Sequence, residues 1–215
     1  MTEIILKILI SYLLGSLMGA LILGKLFGGV DIRNVGSKSA GATNALRARG
    51  KAFAAGVFII DILKGLLAVL LIATLPWFGE AQTTFSTAGL QAICGLAAFF
   101  GHLYPAFFGF KGGKGVATLL GVMLGLSPLI LMVAFAGWVV ILLLTGYVGL
   151  ASVGSGIVAA LTAGLWVPGD FLSPLGLFTL TSAVLLIFTH RSNIRNLLNG
   201  TEYRFDVWRK FKNKS

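Results

Sequence analysis

The chain has 215 residues, 57% of them hydrophobic and 11% charged, with a mean hydropathy of +0.93 and a formal net charge of +10. So few polar side chains cannot coat a water-facing globule, where about a quarter of residues carry charge, and this excludes a soluble domain. The positive charge lies in short loops and a tail, which argues against nucleic acid and for anionic headgroups or phosphorylated substrates.

The first apolar block, Ile4–Phe27, is too long for a signal-peptide core and shows no small-residue cleavage site, so it is expected to remain as a membrane helix. A basic loop follows, carrying Lys25, Arg33, Lys38, Arg47, Arg49 and Lys51. The second block, Ala52–Phe78, contains Asp61 and Lys64, three apart on one helix face. Charges inside a span are costly unless paired, and a structural ion pair is the expectation. A loop around Glu80 without cations leads to Thr87–Phe108, where the lone Cys94 reads as a small buried hydrophobe with no disulfide or zinc spacing.

Lys111 and Lys114 occupy the next loop. The block after it, Val116–Leu144, is roughly 30 residues long against the ~20 that a span needs, and Ser127-Pro128 lies inside it. A proline there removes a backbone hydrogen bond and clashes with the preceding turn, so a short Val116–Leu126 helix and a second Leu129–Leu144 helix are expected. Tyr147–Val167 and Phe171–Thr189 flank a cation-free loop at Asp170. The tail is basic, with Arg191, Arg195, Arg204, Arg209, Lys210, Lys212 and Lys214.

The positive-inside rule places the basic loops and the tail in the cytoplasm, and parity is kept only if the long fourth block is split. The expected fold is an all-α integral membrane protein. It is a single membrane-embedded domain over residues 1–215, of about seven transmembrane helices with one short or interrupted, N-terminus outside and C-terminus cytoplasmic. Interrupted helices are where membrane proteins place binding sites.

Three stretches carry chemistry. The first loop reads Arg33-Asn34-Val35-Gly36-Ser37-Lys38-Ser39-Ala40-Gly41-Ala42-Thr43-Asn44-Ala45-Leu46-Arg47, mixing glycines, hydroxyls, an amide and cations suited to phosphate oxygens. The bland alternative is a solvated linker. The third loop runs Gly101-His102-Leu103-Tyr104-Pro105 and then Gly109-Phe110-Lys111-Gly112-Gly113-Lys114-Gly115-Val116-Ala117-Thr118. Gly-Gly-Lys-Gly opening a helix is a plausible anion cradle, whereas the spacing does not fit an ATP-binding Walker loop. The last stretch, His190-Arg191-Ser192-Asn193-Ile194-Arg195, puts His190 and Asn193 on one face if helix continues there.

In order and spacing these strings, with Asp61-Ile62-Leu63-Lys64-Gly65, resemble the bacterial acyl-phosphate:glycerol-3-phosphate acyltransferases, the PlsY family, over essentially the whole chain. The resemblance implies a cytoplasm-facing active site in the bacterial inner membrane. There a fatty acyl group would pass from acyl phosphate to glycerol 3-phosphate, giving lysophosphatidic acid and inorganic phosphate in the first acylation of phospholipid synthesis. It implies Ser37, Arg47, Lys114, His190 and Asn193 as the polar catalytic set, and Gly112, Gly113 and Gly115 as a phosphate cradle. Thr43, Asn44, Lys111 and Ser152 complete the expected substrate contacts. Two positions depart from the family pattern: Lys38-Ser39 where Gly-Asn is usual, and Ala151-Ser152 where a serine pair is usual.

Such a reaction needs a nucleophilic hydroxyl, an activated carbonyl and oxyanion stabilisation. No His is followed five positions on by Asp, since Phe107 follows His102 and Arg195 follows His190. The expectation is that protein groups bind and neutralise while a substrate phosphate takes the proton, with His190 as the rival base. No cofactor and no metal are expected, because the seven acidic residues are scattered. The partners are the two phosphate substrates and the bilayer, without nucleic acid. The alternative function is a small transporter for an anionic metabolite.

Overall fold

The structure, a computed structural model, describes residues 1–76 and 86–205. The expectations about the Glu80 loop, the end of the second block at Phe78, and Arg209, Lys210, Lys212 and Lys214 lie outside those residues. Every long element among the described residues is a helix, the solution that satisfies backbone polar groups where lipid offers no partner. Four helical stretches are long and apolar enough to cross a membrane, Ala42–Ile72, Thr87–Phe108, Pro128–Thr145 and Val148–Trp166, and six if each of two bent pairs is one span. The chain divides into two compact units, Met1–Pro128 and Leu129–Ser215.

The first unit contains α1 (Thr2–Gly15), α2 (Gly19–Leu26), α3 (Ala42–Leu67), α4 (Thr87–Leu103) and α5 (Val116–Leu126). The block expected as one span from Ile4 to Phe27 is broken: α1 and α2 meet at 47°. Glycines let α1 and α4 touch backbone to backbone, since a side chain on Gly15 would strike the Ala98 backbone and one on Gly101 the Tyr12 carbonyl. The break exposes the Leu17 carbonyl, and Lys64 of α3 donates to it from Nζ at 3.0 Å. Lys64 also pairs with Asp61 at 3.0 Å, and both are buried, as the sequence leads one to expect. Its second role, capping a broken helix, is not visible in the sequence.

The third helix begins earlier than expected. It starts at Ala42, is interrupted at Gly50 (φ 82°, ψ −173°), and passes into a π-helical turn at Ala68–Ile72. Beyond that turn Lys7, paired with Glu3 at 2.9 Å, donates to the Ala73 carbonyl at 3.1 Å. Thr43, Asn44 and Arg47 therefore sit on a helix instead of an irregular loop. The short α5 lies close against α3, because Gly65 faces the Thr118 carbonyl and Gly121 the Ile62 carbonyl. Protein contact of this kind accommodates an 11-residue helix too short to span lipid.

Ser127 ends α5 with extended backbone (φ −157°, ψ 92°), the geometry a following proline imposes, and α6 (Pro128–Thr145) starts at that proline. The expected break is present. The second unit holds the remainder of α6 with α7 (Val148–Trp166), α8 (Pro174–Thr189) and α9 (Arg191–Leu198). Gly156 of α7 admits the Leu186 side chain of α8. Ser173 caps α8 by accepting from Gly176 N at 3.0 Å, with Pro174 opening the helix. At His190 the chain bends by 55° into α9, so helix does not run straight through this stretch.

Candidate active site

In the first unit the loop before α3 is shaped by one amide. The two N–H bonds of Asn44 Nδ2 are shared among the carbonyls of Ile32 (2.9 Å), Val35 (2.9 Å) and Ser39 (3.0 Å), while its Oδ1 accepts the Ser37 N–H at 3.0 Å. At 2% exposure its side chain is engaged with the backbone on both sides. Asn44 therefore ties the loop together, a structural role beyond the substrate contact expected of it. The loop it organises turns through Gly36 (φ 59°) and Lys38 (φ 56°), and a side chain at 36 would collide with Asn44 Oδ1. Ser37 stands exposed on that turn, and Thr43 and Arg47 are exposed one helical turn apart.

The glycine-rich loop is equally ordered. The Gly112 N–H donates to the Leu103 carbonyl and the Gly113 N–H to the His102 carbonyl, each at 3.2 Å. Those two amides have partners within the protein, and the third glycine of the expected cradle, Gly115, opens the next helix. Further N–H donors come from the first turn of α5 (Val116, Ala117 and Thr118), which by helix geometry has no carbonyl one turn back. Gly115 caps that helix at φ 80°, with the Phe99 ring where its side chain would be. Lys114 is half-buried beside the cap, and Lys111 is exposed.

Beneath this loop lies a polar group that sequence reasoning missed. His102, 1% exposed, has Nδ1 3.1 Å from Thr118 Oγ1 and 3.6 Å from Asp61 Oδ1. Its Nε2 has no partner among the described residues and faces Gly113 so closely that any side chain at 113 would strike it. The histidine is the floor of the loop. The string Gly101-His102 was legible, but its partners Asp61 and Thr118 lie 41 and 16 positions away in the chain.

On the other side of the loop, Arg33 grips Asp31 with Nε at 3.0 Å from both carboxylate oxygens and Nη2 at 2.7 Å from Oδ2. These hydrogen bonds hold the Asp31 carboxyl below the usual carboxylate range.

In the second unit His190 is 3% exposed, and its Nδ1 lies 2.9 Å from the Leu186 carbonyl. A carbonyl only accepts, so Nδ1 carries the proton and the basic lone pair sits on Nε2. Asn193 packs against Gly149 and donates from Nδ2 to Glu202 Oε1 at 2.7 Å. Glu202 is a second residue the sequence did not flag: an acid in a basic tail, four positions before Asp206, carries no spacing signal. Ser152 is buried and its hydroxyl is engaged, donating to the Val148 carbonyl at 2.9 Å and accepting from Trp138 Nε1 at 3.3 Å. It ties α7 to α6, a structural role beyond the substrate contact expected of it.

The family profile described as glycerol-3-phosphate acyltransferase matches residues 5–200. The chain belongs to the glycerol-3-phosphate acyltransferase family. A protein of that name from Albidiferax ferrireducens is 42% identical over 217 residues, covering 96% of this chain and 91% of its own length. Another, from Aquifex aeolicus, is 43% identical over 198 residues, covering 92% of this chain and 97% of its own length. Among solved structures, PlsY, an integral membrane glycerol 3-phosphate acyltransferase, superposes in its glycerol 3-phosphate form with a TM-score of 0.82 at 40% identity. That match covers 97% of this chain and 98% of PlsY. Its lysophosphatidic acid form gives 0.79 at 39% identity, covering 94% and 95%. This acyltransferase is accordingly a multi-pass membrane protein of the PlsY family.

Proposed function

We propose that this acyltransferase moves a fatty acyl group from acyl phosphate to glycerol 3-phosphate, at the cytoplasmic face of the bacterial inner membrane. The oxygen of a glycerol hydroxyl attacks the acyl carbonyl, and the bond from that carbonyl carbon to the phosphate oxygen breaks. The hydroxyl proton leaves with inorganic phosphate, and lysophosphatidic acid remains. The observation that carries this reading is the near-complete likeness to PlsY in its glycerol 3-phosphate form.

The residues supply what the reaction asks for. Lys114 and the first turn of α5 offer positive potential and N–H donors to a phosphate. Ser37, Thr43 and Arg47 present a hydroxyl, a second hydroxyl and a guanidinium on the adjoining exposed turns. Lys111 adds charge that draws anionic substrates to the loop. His190, with its lone pair on Nε2, and Asn193, oriented by Glu202, complete the polar set. Acyl phosphate has a good leaving group, so a substrate phosphate is basic enough to take the proton. In this reading residues 1–215 act as one catalytic domain, with about seven spans counting the short α5, the N-terminus outside and the basic tail cytoplasmic.

The test is acylation of glycerol 3-phosphate by purified protein in detergent, with acyl phosphate and acyl-CoA offered separately and Lys114→Ala as control. Product from acyl phosphate alone, lost in the variant, is the expected result. No product from either donor in a folded sample would overturn the proposal and make uptake of labelled glycerol 3-phosphate the next measurement.

A further inference from the structure

Arg33 is part of neither the catalytic set nor the expected phosphate cradle, yet it binds two separate segments of the loops at once. One edge of its guanidinium is clamped on the Asp31 carboxylate. From the other edge, Nη1 donates to two carbonyls of the glycine-rich loop, Phe108 and Lys111, at 2.9 Å each. Those carbonyls bracket the turn at Gly109 (φ 66°) and Phe110 (φ 57°). A non-glycine residue in that left-handed region costs about 1–2 kcal/mol, so the turn needs external support.

The consequence reaches the reacting region through single peptide planes. The Lys111–Gly112 peptide is held at both ends, its carbonyl by Arg33 and its N–H by the Leu103 carbonyl. The next N–H, of Gly113, is held by the His102 carbonyl, and Lys114 and the Gly115 cap follow directly. In the other direction Arg33 sits in the short turn Ile32–Asn34, and the Ile32 carbonyl is one of the groups that Asn44 binds together with the Ser37 N–H. Arg33 thus links the Ser37 turn to the Lys114 loop. A direct phosphate ligand is a poor alternative, because the Asp31 carboxylate neutralises the guanidinium and would repel an anion.

We propose that Arg33 is a positioning residue for the acyl transfer: with Asp31 it holds the Lys111–Gly115 loop in the shape that receives a substrate phosphate, in register with the Ser37 turn. The proposal rests on the acyltransferase reading above. Preorganisation of this kind lowers the cost of binding, and small misplacements in such sites are worth one to two orders of magnitude.

The experiment is steady-state kinetics of wild type, Arg33→Met, Arg33→Lys and Asp31→Asn in detergent, varying each phosphate substrate in turn, with melting temperature as the check on folding. For Arg33→Met the KM of one phosphate substrate should rise about tenfold or more while kcat falls less than about threefold. Asp31→Asn should raise the same KM by a smaller factor, and it covers the case in which Arg33→Met fails to fold. Arg33→Lys should recover the melting temperature but not the KM, because a point-like ammonium cannot grip a carboxylate and two carbonyls in one plane. Loss of kcat in proportion to the folded fraction with both KM values unchanged would reduce Arg33 to a fold residue and overturn the proposal. So would full recovery by lysine, which would mean that charge alone matters. Turnover in the wild type with unaltered variants sinks this inference and leaves the acyltransferase reading standing; no turnover in the wild type sinks both.

Discussion

The side chain of Asn44 accepts the backbone N–H of Ser37 at 3.0 Å, so the exposed serine depends for its position on a residue that is itself buried. Asn44→Ala removes that acceptor and strands the carbonyls of Ile32, Val35 and Ser39. Each buried group left unpaired costs about 1–3 kcal/mol. The variant should melt several degrees lower and lose most of its activity, whereas Thr43→Ala, at an exposed position, should melt like wild type. Equal melting of Asn44→Ala and wild type would count against a scaffold role.

The glycine at the cap of α5 has two separate reasons to be glycine, φ of 80° and the Phe99 ring against it. Gly115→Ala should therefore weaken substrate binding through a displaced cap, raising a KM. In Gly115→Ala combined with Phe99→Ala the steric conflict is relieved, but the backbone strain of about 1–2 kcal/mol remains. Partial recovery in the double variant is expected. Complete recovery would mean that sterics alone select the glycine.

Removing Lys64 leaves Asp61 as an unpaired buried charge and the Leu17 carbonyl without its donor. Breaking a buried pair from one side costs about 3–5 kcal/mol, whereas replacing both partners by apolar residues is often neutral. Lys64→Met should thus be poorly folded in detergent, and Asp61→Leu with Lys64→Met should fold better than the single variant. His102 complicates the double change, because it loses its Asp61 neighbour and keeps only Thr118. A double variant less stable than Lys64→Met would show that Asp61 serves His102 more than Lys64.

The Asp31–Arg33 pair makes a pH prediction. The hydrogen bonds from Arg33 depress the Asp31 carboxyl in the folded chain, so the pair's contribution is fully present above the unfolded value of about 3.9 and is lost as pH falls through the folded one. The difference in melting temperature between wild type and Asp31→Asn should stay level from neutral pH down to about pH 5 and shrink below about pH 4. A difference that grows on acidification would contradict the sign.

His190 and the substrate phosphate remain rival proton acceptors, and the tautomer matters here. With Nδ1 donating to the Leu186 carbonyl, Nε2 is the only ring nitrogen that can act as a base. Comparing pH–rate profiles of wild type and His190→Ala separates the two. Loss of one ionisation only in the variant assigns the base to His190; the same profile at lower rate assigns it to the substrate.

The sequence by itself determined the membrane character, the break at Ser127-Pro128, the Asp61–Lys64 pair and the family. These depend on local quantities: run length of apolar residues, a proline that cannot continue a helix, charges three apart, and motif order. It also singled out Ser37, Arg47 and Lys114 as candidates, through their places in the strings that carry the family resemblance. Only the tertiary structure shows that Asn44 holds its loop together, that the amides of Gly112 and Gly113 have partners within the protein, and that the Ser152 hydroxyl bonds Trp138 and Val148. The α1–α2 break, the His102 floor, the Asn193–Glu202 bond and the Arg33 clamp were hidden for the same reason. A side chain's chemistry is written in its type, but whether its donors and acceptors are available depends on which distant backbone groups the fold brings to it.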